Sequence, residues 1–129
     1  MQEDQRDETL SWFAFRDLKE DAEPVFAKLV RDHLPGKDQV QALVNQAASM
    51  VVSRGFSKVT GFLDRIQATP TERIACVEGA AESQIRGNYY SKKIPREALD
   101  TMRAWVSAQA PDSTDRVTGR VLASATQRG

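Results

Sequence analysis

Apolar residues recur along this chain at intervals of three and four, and no stretch alternates for long, so the pattern predicts helices and no confident strand. The clearest stretch runs from Thr69 to Tyr90. Thr69-Pro70-Thr71-Glu72 combines a threonine cap, a proline just inside and a glutamate at the third position, a capping box that opens a helix. Ile74, Val77, Ala81, Ile85 and Tyr89 then mark a greasy face, and Ala75, Gly79, Ser83 and Gly87 mark a flat ridge beside it. A helix with two such faces packs neighbours on two sides, which predicts a central helix over 70–90.

The remaining elements follow the same reading. Leu10, Phe13, Ala14 and Leu18, widened by Trp12 and Phe15, predict a short first helix that Thr9 or Ser11 could cap. Asp21-Ala22-Glu23-Pro24 reads as a break and restart, followed by Val25, Phe26, Leu29, Val30, His33 and Leu34 on a second apolar face. Pro35-Gly36 stops that helix, Asp38 is placed to cap the next, and Val40, Leu43, Val44, Ala47 and Val51 form its face. Gly55 sits at a natural helix end with Phe56 behind it, so a further helix carrying Val59, Phe62, Leu63 and Ile66 is preferred. The rival is one continuous helix from Asp38 to about Gln67, since an interior glycine costs only about 1 kcal/mol. Ile94-Pro95 restarts the chain for Leu99, Met102, Trp105, Val106 and Ala110, and Pro111 ends that helix. Asp112-Ser113-Thr114-Asp115 reads as a cap before Val117, Val121, Leu122 and Ala125. The expectation is an all-α, compact single-domain bundle of about six or seven helices, packed orthogonally or irregularly around helix 70–90. Residues 1–8 are expected to be a flexible acidic arm, 9–125 the helical domain and 126–129 a disordered tail.

Composition narrows the class. The chain has 129 residues, 40% apolar and 28% charged, enough for one core without disulfide or metal staples. Formal net charge is zero, which removes any global pull toward nucleic acid or anionic membrane. Locally the charge is uneven. Residues 1–23 hold eight acidic side chains against three basic ones, whereas residues 86–103 hold five basic against two acidic. From the polar, acidic N-terminus no secretory signal peptide is expected, and no apolar run reaches the roughly 20 residues of a membrane span. A lone cysteine, Cys76, rules out an internal disulfide and fits a reducing compartment, so the expected location is cytoplasmic.

Catalytic chemistry finds little purchase. A zinc site needs about four Cys, His or carboxylate ligands, and the chain offers one histidine and one cysteine far apart. Glu78 and Glu82 lie four apart on one helical face and read as two solvated glutamates. His33 reads as a partly buried helix-end histidine, and Cys76 as a buried small hydrophobe. The glycines form no phosphate-binding loop. No cofactor, no metal and no catalytic residue is assigned.

Two patches remain as partner-binding candidates. Trp12, Phe13 and Phe15 sit among carboxylates at the N-terminus and could dock a partner or close the bundle. Arg86, Tyr89, Tyr90, Lys92, Lys93 and Arg96 mix aromatic rings with cations. Such a set can contact phosphates and stack on bases, but cations also complement a helix C-terminus, and tyrosines anchor one. The expected function is protein–protein interaction without catalysis: an adaptor, a toxin-neutralising or immunity-type partner, or an assembly regulator. The alternative is an accessory nucleic-acid-binding protein using the basic face at 86–103. Glu97 and Asp100 would face phosphates poorly there. A homodimer is compatible with either reading; a membrane partner is not.

Overall fold

A computed structural model describes residues 18–89 and 92–128, residues 125–128 by their backbone alone. It is all-α. Six helices follow one another in the described residues: α1 (Glu23–His33), α2 (Gly36–Arg54), α3 (Phe56–Arg65), α4 (Pro70–Tyr89), α5 (Arg96–Gln109) and α6 (Thr114–Arg128). Single 3-10 turns, Glu20–Ala22 and Pro111–Ser113, lead into α1 and α6. The helix expected over 10–18 lies outside the described residues except for its last position, Leu18, which is buried.

The central helix is where its pattern put it. α4 touches α2, α3, α5 and α6. Its capping box closes in both directions: the Thr69 amide donates to Glu72 Oε1 at 3.0 Å, and the Glu72 amide donates to Thr69 Oγ1 at 3.2 Å. The small ridge meets α2. A Cβ on Gly79 would stand 2.5 Å from Val44 Cγ1, and one on Gly87 would stand 2.9 Å from Val52 Cγ2. Both pairings keep the same register, so α2 and α4 advance in the same direction, in close approach for more than two turns, about 12 Å of helix. This is the most extensive helix–helix contact in the fold.

Ion pairs show how the others run. Glu78 pairs with Arg116 and Arg120, and Glu82 pairs with Arg120, so α6 also advances with α4. Arg73 in the first turn of α4 meets Gln109 at the end of α5, so α5 returns antiparallel. α3 carries the chain back between α2 and α4. The break before it falls at Gly55, as preferred, where φ is +88°, a conformation open to glycine and strained for other residues. Phe56 then stacks on Trp105 with ring centroids 4.5 Å apart, and Trp105 Nε1 donates to Thr60 Oγ1 at 2.9 Å, tying α5 to α3. The core these helices share includes Phe26, Leu43, Val59, Phe62, Leu63, Val77, Ile85, Met102, Val106 and Val117. Each large side chain so buried contributes roughly 1.5–3 kcal/mol.

Several local readings are corrected. Pro35, not Asp38, occupies the cap position of α2; Asp38 lies in the first turn, where it complements the dipole without capping. His33 ends α1 in an exposed position rather than a partly buried one. Ile74 was expected on the buried face of α4 but is 42% exposed, because the inward face there is Cys76, Val77, Ala80, Ala81 and Ile85. Val25 and Leu29 are exposed because α1 turns Glu23, Phe26, Ala27 and Val30 inward instead. Leu122 on α6 is likewise exposed, while Val117 and Val121 are buried. α6 continues to Arg128, past the Ala125 limit read from the pattern, and so through most of the stretch expected as a disordered tail.

Candidate functional site

Buried charge in this fold is organised as struts between helices. Glu23 on α1 is fully buried, and Arg65 on α3 donates to both its carboxylate oxygens through Nε and Nη2 at 2.7–3.1 Å. Arg31 on α1 reaches Glu72 at 2.6 Å and the Ile66 carbonyl at 2.9 Å, locking the ends of α1, α3 and α4 together. Burial alone would raise the Glu72 carboxyl. The Arg31 guanidinium and the Thr69 amide outweigh it and hold the group below its ordinary value. Arg73 bridges Asp64 and Gln109.

Glu78 and Glu82 belong to the same system. They are not solvated glutamates: their side chains are mostly covered, and they fix α6 through Arg116, Arg120 and the buried Ser113 hydroxyl, which donates to Glu78 Oε2 at 2.7 Å. Glu82 and Arg86 come no closer than 4.0 Å, so Arg120 is the nearer partner of Glu82. Cys76 has no solvent exposure, and burial, followed by the charge of Glu72, pushes its thiol up to about 12. It is a packing residue. No group of three or more His, Cys, Asp or Glu side chains among the described residues is arranged to hold a metal ion.

The basic candidates are gathered at one end of the bundle. Arg86 and Tyr89 lie in the last turn of α4. The Lys92 amide donates back to the Tyr89 carbonyl at 2.9 Å, which holds Lys92 over the helix end. Pro95 then caps α5, and Arg96 is its first residue. Arg86, Lys92, Lys93 and Arg96 are exposed, while Tyr89 is half-buried with its ring packed against the core. Tyr90, Trp12, Phe13 and Phe15 lie outside the described residues.

Helix dipoles account for part of this set. Arg86 and Lys92 complement the negative end of α4. Arg96 does the opposite: it places a cation at the positive end of α5, where its own helix gains nothing from it. Lys92, Lys93 and Arg96 form no ion pair with any described residue, whereas Arg31, Arg65, Arg73, Arg116 and Arg120 all hold carboxylates.

Two further residues join the patch that the sequence pattern did not single out. Val52, 43% exposed, lies on Gly87 and sets an apolar spot beside the cations. Arg54 ends α2, which by its shared direction with α4 finishes at the same end of the bundle. The signal for Arg54 was present as a basic residue just before a glycine cap. Val52 had none, because its neighbour across the ridge is known only from the register of α2 on α4.

No helix among the described residues is long and apolar enough to cross a membrane. Comparison with protein families, with curated proteins and with solved structures finds no match.

Proposed function

We propose that this chain is a non-catalytic interaction module that docks the acidic surface of a partner protein on the end of the bundle formed by α2, α4 and the start of α5. The observation that carries this reading is the cluster Lys92, Lys93 and Arg96, exposed and without an ion pair to any described residue, in a fold where Arg31, Arg65, Arg73, Arg116 and Arg120 all hold carboxylates. Val52 and Tyr89 supply apolar area among the charges, the mixture of anchor and charged rim found in protein interfaces. Glu97 and Asp100, exposed on the first turns of α5, would repel a uniformly charged phosphate backbone, but they fit a protein partner whose acidic surface also carries a cation at their position. In this reading the protein works in the cytoplasm, in keeping with its single thiol.

The test is the triple variant Lys92→Glu/Lys93→Glu/Arg96→Glu. With the melting temperature unchanged, it should lose a protein that the wild type retains from a nuclease-treated extract of the host. The second reading, nucleic-acid binding, is favoured by Tyr89 lying among the same cations. It predicts retention on single-stranded DNA or RNA that falls steeply between about 50 and 200 mM salt. Loss of that retention in the triple variant, with every protein contact intact, would sink the protein-docking reading.

A further inference from the structure

A second surface is apolar. Leu18, Ala22, Val25, Phe26 and Leu29 line one apolar groove of about 180 Å³ along α1 and the turn before it. Val25 is 61% exposed and Leu29 37%, whereas Leu18 and Phe26 form the floor at 8% and 3%. The spacing is helical, so the groove is the outer stripe of α1, left over when Glu23, Ala27 and Val30 turn inward. The large apolar side chains directly upstream of Leu18 in the sequence are Leu10, Trp12, Phe13 and Phe15.

We infer that the groove is the seat of this chain's own N-terminal segment, residues 10–17, with Trp12 or Phe13 against Val25 and Leu29. Three things favour that occupant over any other. The segment ends at Leu18, which is itself part of the groove, so docking needs no long linker and little loop-closure entropy. The reach is sufficient. Trp12 and Phe13 stand five to six residues before Leu18, a span of up to about 20 Å when extended, whereas Ala22 to Leu29 covers only about 10 Å of helix. The chemistry also matches. The groove is almost purely apolar, and Trp12, Phe13 and Phe15 are the largest apolar side chains outside the described residues. The inference is independent of the docking surface proposed at the other patch.

Nuclear Overhauser effects in the unmodified full-length chain test it directly. Cross-peaks from the Trp12 or Phe13 ring protons to the Val25 and Leu29 methyl groups are expected, and they should keep their intensity on dilution. Absence of those cross-peaks overturns the inference, and so does their disappearance on dilution, which would assign the groove to a second copy. A parallel reading uses fluorescence in a Trp105→Phe chain, where Trp12 is the sole indole. Its emission should be blue-shifted and shielded from acrylamide, and Leu29→Asp should shift it to the red with the helical circular dichroism unchanged. Water-like emission before that substitution overturns the inference equally.

Discussion

Gly79 stands against Val44 so closely that a Cβ at position 79 would lie 2.5 Å from Val44 Cγ1. Two turns on, Gly87 stands against Val52 with 2.9 Å to the nearest methyl. The two contacts look alike but differ in what can yield. Val44 is partly buried within the α2–α4 seam, and a β-branched side chain in a helix has essentially one rotamer. Val52 is 43% exposed and can lean into solvent.

Gly79→Ala should therefore destabilise by about 1–3 kcal/mol through overpacking, despite the better helix propensity of alanine. Gly87→Ala should be near neutral, or stabilising by a few tenths up to about 1 kcal/mol, because the propensity gain survives once Val52 moves. Urea denaturation of the two variants measures the contrast. Val44→Ala placed in the Gly79→Ala background should recover part of the loss, and a double-mutant cycle that showed no coupling would remove the seam as the cause.

The fully buried Glu23 and its partner Arg65 make an asymmetric pair. Arg65→Met leaves a carboxylate with no exposure and no cation, which costs about 3–5 kcal/mol. Glu23→Gln leaves Arg65, whose side chain is 31% exposed and already 3.9 Å from Glu20, able to turn outward, so the expected cost is about 1–3 kcal/mol. Chemical denaturation should rank the two in that order. Equal losses would mean that the chain relaxes around Glu23 enough to let water in.

How much of this could be read from the sequence depends on whether the cause was local. The capping box at Thr69 and Glu72, the break at Gly55 and the small ridge on α4 are written in a few adjacent residues, and the structure has all three. The orientation of α1 is not local. Val25 and Leu29 satisfy the helical spacing as well as Phe26 and Val30 do, and what turns α1 is a carboxylate, Glu23, finding Arg65 some forty residues away. Glu78 and Glu82 misled for the same reason: their partners Arg116 and Arg120 lie on a helix whose direction along α4 no local pattern states. At the candidate site, Lys92, Lys93 and Arg96 were visible as a run, but Val52 and Arg54 arrive from α2 through packing alone.

Glu72 predicts a specific acid sensitivity. Its folded carboxyl titrates below the ordinary value of 4.5, so its contribution is complete above that value and is lost as pH falls through the lower, folded value. Glutamine at position 72 keeps an oxygen for the Thr69 amide but gives Arg31 no charge. Glu72→Gln should cost roughly 1–3 kcal/mol near neutral pH. The deficit should shrink on acidification, so that urea midpoints of variant and wild type, well apart at about pH 7, draw together at about pH 3. A constant gap across that range would assign the loss to packing instead of charge.

Cys76 connects these stability changes to a chemical readout. Its thiol is fully covered and pushed up to about 12, so at about pH 8 the native state offers iodoacetamide neither access nor a thiolate. Alkylation must then pass through opening of the α4 core, and when reclosing is faster than modification the rate follows the equilibrium population of the open form. Each 1.4 kcal/mol taken from the native state should speed modification about tenfold. Gly79→Ala and Arg65→Met should therefore label faster than wild type by factors set by their denaturation free energies, with Gly87→Ala close to wild type. Mass spectrometry of timed samples gives the rates. If wild type and the destabilised variants label at one common rate, Cys76 has a local route to solvent that bypasses unfolding, and α4 is looser around it than the α2–α4 seam implies.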